Sequence, residues 1–392
     1  MPDHSTDRAE QTQSVTLTNA RIVGPQSVFD GYLRLSNGQI DACERGHPSS
    51  QAGHRLDVGQ NLVVPGLVDL HGDDIEDQRC PRGDRRVDDR FALSVCDRAN
   101  LAAGVTTKFH AVAFEDSPGE NRSVGGATEL VESIRSATGL LADHRVNARC
   151  ELTDPTSVSA VGAAVEETDV DIVTVQSALP GTGQFDRRAA LVRWYDEHDG
   201  NARLDRDPVA AADSLFEDCA TEDLRERLDS VCAAAESSGV PVGSHDAESQ
   251  TEVNGLADRG IDFLEYPVTM EAAREARETD VAVVMGAPNY VHGGSLFDNL
   301  GAREVARADV LDALCADYSP PALCRSVAVG TDDSLVRRVN RVTAAPAEIA
   351  GLDDRGTLVP GARADVAVLD TDPVPTVSRV FVAGQERYRA GT

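Results

Sequence analysis

The sequence predicts an α/β protein, in which a TIM-type (β/α)8 barrel is joined to a small β-sandwich built from both chain termini. Short apolar runs alternate with amphipathic helical patterns through the middle of the chain. About eight such strand–helix units occur, which is the number that closes a parallel barrel. Outside this stretch, apolar and polar residues alternate in the manner of β-strands.

The two ends of the chain predict one composite β-domain, formed by residues 1–62 and 353–392. The first of these segments carries the turn Ser36-Asn37-Gly38 between two alternating runs, which is a strong hairpin signal. The second segment repeats the alternation and carries a turn at Ala383-Gly384. Two β-rich ends around a long middle therefore indicate one small sheet domain.

The middle of the chain, residues 63–352, predicts the catalytic barrel. Its strand candidates are 63–70, 105–112, 145–151, 170–177, 240–245, 261–266, 281–286 and 313–318. Amphipathic stretches such as 125–142 and 221–238 lie between them. Residues 184–220 are too long and too polar for an ordinary connection, so we predict a long insertion or a lid there.

Composition and charge limit the classes of partner and location. The chain has 392 residues and a formal net charge of −29, which argues against nucleic acid or an anionic membrane as a partner. No apolar run of about 18 residues and no signal region occur, so we expect a cytoplasmic protein. Lys108 is the only lysine, and an acidic surface poor in lysine indicates a halophilic cytoplasm, where salt screens self-repulsion. The sequence leaves homo-oligomerisation open.

Four strand candidates end in residues that bind metals. The first ends in His71-Gly72-Asp73, the third in Glu151, the fifth in His245 and the eighth in Asp317. The carboxyl ends of barrel strands meet at one face, so these side chains can converge on one site. Taken alone, the first motif also fits a core strand followed by a solvated acidic turn. Imidazole and carboxylate ligands together suit zinc, manganese or iron.

These motifs resemble the amidohydrolase superfamily. The resemblance rests on Pro65-Gly66-Leu67-Val68-Asp69-Leu70-His71, Ala103-Gly104-Val105-Thr106-Thr107, the late Asp317 and the tail from Ala345 to Asp365. Members of this superfamily are metal-dependent hydrolases with a TIM barrel and a β-sandwich built from both termini. The resemblance implies that one or two divalent ions (Zn, Mn or Fe) are bound by a set of five residues: His71, Asp73, Glu151, His245 and Asp317. Asp317 would also be the catalytic base, and Glu151 would stand where other members place a carboxylated lysine.

Further motifs resemble, within that superfamily, the diphosphatases of the carbon–phosphorus lyase (phosphonate) pathway. They are Arg149-Cys150-Glu151, Ser244-His245-Asp246, and the block from Met285 to Ser295. The resemblance implies a small anionic phosphorylated substrate, a ribose phosphonate triphosphate from which pyrophosphate is released. The substrate-binding residues that it implies are Arg82, Arg149, Asn289, Gly293 and Gly294.

The chain departs from that family pattern at several positions. Ala178 stands where a ligand histidine is expected, and His292 stands where an arginine is expected. Lys108 and His110 add polar groups near the end of the second strand candidate, so Lys108, His110 and His292 are candidate auxiliary residues. His110 also fits a core residue with a backbone partner. Two other functions stay open: a carbon–nitrogen hydrolase of the same superfamily (a cyclic amidase or a deacetylase), and a non-catalytic barrel scaffold.

Overall fold

The computed structural model describes residues 14–49, 53–82, 85–117, 121–177, 221–295, 299–329 and 332–391. The predicted insertion or lid at 184–220 and the substitution at Ala178 lie outside the described residues.

The described strands fall into three groups along the chain. The N-terminal group is β1 (Val15–Val23), β2 (Val28–Ser36), β3 (Gln39–Arg45), β4 (His54–Asp57) and β5 (Leu62–Pro65). The middle group is β6 (Leu67–Gly72), β7 (Val105–Phe114), β8 (Asp143–Glu151), β9 (Ile172–Gln176), β10 (Val242–His245), β11 (Phe263–Glu265), β12 (Ala282–Gly286) and β13 (Ala313–Cys315). The C-terminal group is β14 (Val366–Asp370), β15 (Thr376–Val382) and β16 (Gln385–Arg389).

The first and last groups form one sheet, in the order β16-β15-β14-β5-β1-β2-β3, with β4 also paired to β1. Antiparallel pairing of β5 with β14 joins the two ends of the chain. The sheet buries its own apolar core, which includes Leu17, Leu33, Val63 and Phe381. Both terminal segments contribute side chains to this core, which explains why they fold together.

The middle group forms the barrel, in which β6 to β13 lie side by side in chain order and run parallel. The barrel interior contains large apolar side chains such as Leu70, Phe109, Ile172 and Phe263. Side chains on the outer face of the strands pack against the helices in a second, larger core. The predicted (β/α)8 barrel with a terminal β-sandwich is confirmed.

The β6–β13 seam, where the last barrel strand meets the first, closes differently at its two ends. At the carboxyl end the backbone N–H of Asp317 donates to the carbonyl of His71 at 2.8 Å. At the amino end the backbone of residues 341–342 lies between the strands and accepts hydrogen bonds from the N–H groups of Leu314 and Val68. The segments that follow β6 and β13 are therefore hydrogen-bonded directly to each other at the carboxyl end, where the predicted ligands lie.

Helices cover the outer face of the barrel and follow most of its strands. They are α1 (Asp74–Arg79), α2 (Asp89–Ala102), α3 (Val124–Ser136), α4 (Pro155–Glu166), α5 (Thr221–Ser238), α6 (Gln250–Ala257), α7 (Met270–Glu278), α8 (Ala287–His292), α9 (Ala302–Arg307), α10 (Pro320–Ala328), α11 (Leu335–Asn340) and α12 (Ala344–Ile349). Several begin with a side-chain cap; Asp88, for example, accepts hydrogen bonds from two N–H groups in the first turn of α2.

The predicted strand at 63–70 is in fact two strands. The chain leaves the terminal sheet at Pro65 and enters the barrel at Leu67. Gly66 makes this passage possible, because a Cβ there would lie 2.2 Å from the Thr106 hydroxyl oxygen. β5 thus crosses the predicted domain boundary at residue 62, and that division stays a prediction.

Candidate metal centre

Three side chains from three strand ends meet at the carboxyl face of the barrel. His71 ends the apolar part of β6, His245 ends β10 and Glu265 ends β11. One ligand atom from each lies within 4.8 Å of the other two. Two of these residues are predicted ligands, whereas Glu265 was missed by the sequence analysis. The signal was present, because Glu265 lies at the end of the strand candidate 261–266.

His71 and Glu265 form a fully buried pair, with His71 Nδ1 2.8 Å from Glu265 Oε2. Burial alone would lower the pKa of His71, but the Glu265 carboxylate outweighs burial and raises it. The pair therefore favours a positive charge between these two side chains. A divalent cation bound there would replace the shared proton, because metal binding requires neutral imidazole and ionised carboxylate.

The residues present fit a divalent cation. Glu265 Oε1 and His245 Nδ1 are buried and lack a hydrogen-bond partner among the described residues. Asp246 Oδ2 lies 3.0 Å from His245 Nδ1, but outside hydrogen-bonding geometry. Buried acceptors without partners are costly unless a ligand completes them. A metal ion bound through these two atoms would satisfy both.

Asp317 and Asp73 flank this group from the two sides of the seam. Burial and then the Asp73 carboxylate raise the pKa of Asp317 to about 6, against the lowering effect of His71 and His245. Asp73 precedes α1, but its side chain makes no capping hydrogen bond there. Both carboxylates therefore add negative charge beside the two imidazoles, as the sequence predicts for ligands; their ligand roles stay predictions.

The backbone turns sharply within two residues of the end of three barrel strands at this face. Asp246, Tyr266 and Asp317 follow β10, β11 and β13 with φ values of 61°, 54° and 55°. Left-handed residues other than glycine are uncommon and gather at functional sites. The turn at Tyr266 places its ring edge-on to His71, with centroids 5.7 Å apart, and 4.9 Å from the ring centroid of His245. Tyr266 thus contacts both imidazoles.

Glu151 is held outside the three-residue group. Its Oε1 accepts hydrogen bonds from the Thr153 N–H at 3.0 Å and from the Thr153 hydroxyl at 2.6 Å. Its Oε2 accepts a longer bond from Gln176 Nε2. Glu151 ends β8 at the same face of the barrel, but it is not one of the three described residues whose ligand atoms lie within 4.8 Å of one another. Its ligand role stays a prediction.

Arg149 places a guanidinium beside the candidate centre. Its Nη1 lies 3.9 Å from Asp73 Oδ2, and its Nη2 donates to Gln176 Oε1 at 3.0 Å. Its Nε is buried without a hydrogen-bond partner among the described residues. Arg149 therefore keeps donor capacity at the edge of the site, which suits an anionic ligand.

The other predicted substrate residues differ in how well they are fixed. Arg82 is exposed, between α1 and α2. Asn289 lies on α8, which follows β12 directly, and Gly293 and Gly294 follow that helix in exposed positions. Arg303 holds this helix end, since its guanidinium donates to two α8 carbonyls at 2.6 Å. The binding roles of these residues stay predictions.

The candidate auxiliary residues do not join the His71–His245–Glu265 group. Lys108 is fully buried and pairs with Asp69 and Asp74 on the outer face of β7. His110 Nε2 lies 2.8 Å from His144 Nδ1, so its partner is a side chain rather than the backbone. Burial, followed by His144, keeps the pKa of His110 well below its usual value. His292 is exposed at the end of α8.

Comparisons with known proteins agree with this architecture. No protein-family model matches the chain. The chain is 29% identical over 364 residues to the alpha-D-ribose 1-methylphosphonate 5-triphosphate diphosphatase of Escherichia coli (strain K12), covering 90% of this chain and 94% of that protein. Among solved structures, an amidohydrolase matches with a TM-score of 0.65 at 18% identity, covering 97% of this chain and all of the other.

A second solved structure gives the same result. The N-isopropylammelide isopropylaminohydrolase of Burkholderia multivorans matches with a TM-score of 0.63 at 18% identity, over 96% of this chain and 98% of the other. The chain has the fold of the amidohydrolases. The predicted resemblances to the amidohydrolase superfamily and to the phosphonate-pathway diphosphatases are both confirmed, and they support a hydrolase.

The helices of the described part of the chain bear on its location. In the part of the chain that the structure describes, no helix is long and apolar enough to cross a membrane. The predicted cytoplasmic location and halophilic habitat stay predictions.

Proposed function

We propose that this protein is a hydrolase that cleaves alpha-D-ribose 1-methylphosphonate 5-triphosphate to the 5-phosphate and pyrophosphate. The observation that carries the proposal is the pair of unsatisfied, buried ligand atoms on Glu265 and His245 beside the guanidinium of Arg149. A cation site next to an anion-binding side chain is what hydrolysis of a phosphate anhydride needs. The diphosphatase relative, aligned over 90% of the chain, supports the same substrate class.

His71, His245 and Glu265 would hold the divalent ion, with Asp317 and Asp73 as further oxygen ligands. Such an ion, when bound, lowers the pKa of a coordinated water toward neutrality. Asp317 then acts as the base, because its carboxylate lies beside the two imidazoles and is ionised at neutral pH. Its carboxylate accepts a proton from the attacking water.

The reaction is a displacement at the α-phosphorus of the triphosphate. The water oxygen forms a bond to that phosphorus, and the bond from the phosphorus to the bridging oxygen breaks. Pyrophosphate leaves with the bridging oxygen. Arg149 is the side chain placed to donate charge-assisted hydrogen bonds to the phosphate oxygens. Local donors are needed, because a chain with a net charge of −29 repels a triphosphate at long range.

The test is to load the purified protein with zinc, manganese or iron and to follow the substrate by phosphorus NMR. We expect pyrophosphate release that stops when the metal is chelated and when Asp317 is replaced by Asn. Metal binding without pyrophosphate release would refute the substrate assignment. A protein that binds none of the three metals would refute the hydrolase itself.

A matched pair of variants tests which glutamate binds the metal. Glu265→Gln should weaken metal binding by more than tenfold, because it removes a buried charged ligand. Glu151→Gln should leave the affinity nearly unchanged, because Thr153 and Gln176 already occupy its carboxylate. The opposite outcome would favour the ligand set that the sequence resemblance implies.

The two other functions predicted as alternatives lack a specific observation in their favour. The carbon–nitrogen hydrolase depends on Ala178, outside the described residues, and on His292, which is exposed. The non-catalytic scaffold conflicts with the converging ligand atoms of His71, His245 and Glu265. The NMR assay separates both from the diphosphatase.

A further inference from the structure

A buried ion-pair cluster lies behind the candidate metal centre, on the outer face of the barrel. Lys108 Nζ, on β7, lies 2.7 Å from Asp69 Oδ2 and 2.5 Å from Asp74 Oδ1. The Lys108 and Asp69 side chains are completely buried, and Asp74 is nearly so. We refer to Lys108, Asp69 and Asp74 as the Lys108 cluster. The two carboxylates lie before and after the His71-Gly72-Asp73 motif, so the chain wraps around the ammonium group.

Asp69 connects this cluster to both sides of the β6–β13 seam. Its Oδ1 accepts a hydrogen bond from the backbone N–H of Ala316 at 2.7 Å, and a longer one from the N–H of His71 at 3.2 Å. Ala316 immediately precedes Asp317. One carboxylate therefore fixes the main chain at the proposed base and at a proposed metal ligand.

Gly72 shows how closely the ammonium group approaches the metal-binding motif. A Cβ at Gly72 would lie 1.7 Å from Lys108 Nζ and 2.6 Å from Asp69 Oδ2. No side chain fits there while the lysine is in place. The cation therefore lies directly against the backbone between His71 and Asp73, and the glycine and the lysine depend on each other.

The residue type at this position is informative as well. The chain has 37 basic residues, and Lys108 is its one lysine. An ammonium is a compact point charge, whereas a guanidinium is a broad plane. The space above Gly72, between two carboxylates, suits the compact group. Since a buried ion pair is in itself weak evidence for stability, a positioning role explains its presence better than a stabilising one.

We propose that Lys108 is a positioning residue for the metal centre: it holds Asp69 and Asp74 so that the β6–β13 seam presents His71, Asp73 and Asp317 in register. The inference rests on the proposed function, because it assumes that these residues surround a metal ion. Lys108 itself touches neither metal nor substrate.

Cobalt(II) binding tests the proposal, since the affinity and the visible spectrum of bound cobalt report ligand geometry independently of catalysis. Lys108→Met removes the ammonium and keeps an unbranched stem. We expect a 10- to 100-fold loss of cobalt affinity, the range observed when groups that orient metal ligands are removed, together with a changed spectrum. Lys108→Arg should fail to restore either, because its guanidinium does not fit above Gly72.

The matched control is Arg355→Met, which also removes a buried cation. Arg355 Nη1 lies 2.6 Å from Asp143 Oδ2 at the start of β8, at the opposite end of the barrel from the site. The Arg355→Met substitution should lower the free energy of unfolding without changing cobalt affinity. If Lys108→Met does not fold, the double variant Lys108→Met/Asp74→Asn removes one positive and one negative charge, which leaves the net charge of the cluster unchanged.

Each outcome decides the inference. Weakened cobalt binding in folded Lys108 variants, with normal binding in Arg355→Met, supports it. Wild-type affinity and spectrum in a folded Lys108 variant overturn it, as does an equal loss of affinity in Arg355→Met. If the wild-type protein itself binds no cobalt, the proposed metal centre fails, and the positioning role fails with it.

Discussion

Replacing Asp317 by Asn should stabilise the metal-free protein near neutral pH while it removes the proposed base. Burial, followed by the Asp73 carboxylate, raises the pKa of Asp317 from 3.8 to about 6. At pH 7 the folded protein thus holds in ionised form a carboxyl group that its surroundings favour as protonated. Asn is neutral and similar in shape, and the left-handed φ of 55° at this position accommodates Asn as readily as Asp.

The magnitude follows from the difference between the two pKa values. About two pKa units correspond to roughly 3 kcal/mol, and partial exposure of the side chain reduces this to about 2–3 kcal/mol. Because the folded-state pKa is higher than the unfolded one, the folded state binds the extra proton. The penalty is therefore absent below about pH 4, grows as the pH rises to about 6, and is complete above that.

Urea denaturation of chelator-treated protein at pH 7 and pH 4 measures this effect. Asp317→Asn should raise the free energy of unfolding by about 2–3 kcal/mol at pH 7 and by much less at pH 4. Asp353→Asn, at an exposed position, should change neither value. No gain at pH 7, or an equal gain at both pH values, would refute the reasoning. A more stable but inactive variant would show that this carboxylate is kept for function at a cost in stability.

Three further predictions concern the surroundings of the site. Arg149→Gln should raise the KM for the triphosphate at least tenfold, because a hydrogen bond to a charged group contributes about 1.5–3 kcal/mol; a change in kcat alone, measured by steady-state kinetics, would contradict this. Gly72→Ala should lower the free energy of unfolding by about 1–3 kcal/mol, since its Cβ would meet Lys108 Nζ at 1.7 Å; an unchanged melting temperature would contradict it. Burial raises the pKa of Asp74, but Lys108 outweighs burial and lowers it to about 2. The resulting stabilisation, about 2 kcal/mol, is present above about pH 4 and is lost as the pH falls to about 2. Asp74→Asn should therefore flatten the acid-denaturation profile, and a profile as steep as that of the wild type would count against the ion pair.

Barrel chemistry occurs where apolar strands stop, and this strand-end rule predicted two of the three residues in the candidate centre. His71 and His245 were predicted this way, since each ends an apolar run. Glu265 satisfied the same rule but was overlooked, because its strand has only three residues and the apolar ring of Tyr266 follows. The position of Glu265 at a strand end was therefore visible in the sequence, but a strand of three residues gives too weak a pattern to make that end clear.

The position of Lys108 could not be predicted, because both faces of β7 are buried. Every residue of this strand is buried, so no alternation of polar and apolar residues reveals which side chains face the barrel interior. The structure places Phe109 in the interior, so its neighbours Lys108 and His110 point outwards. The strand also continues to Phe114, beyond the predicted end at residue 112, which leaves Lys108 well short of the carboxyl face.

The single buried lysine also determines how the folded protein reacts with reagents that acylate primary amines. The sequence has no other lysine, so Lys108 is the one side-chain amine that such reagents can modify. Lys108 becomes reactive only when the helices packed over the outer face of β7 move away, through local or global unfolding. The rate of acylation at Lys108, measured by mass spectrometry, therefore reports how often that movement occurs. No engineered label is needed.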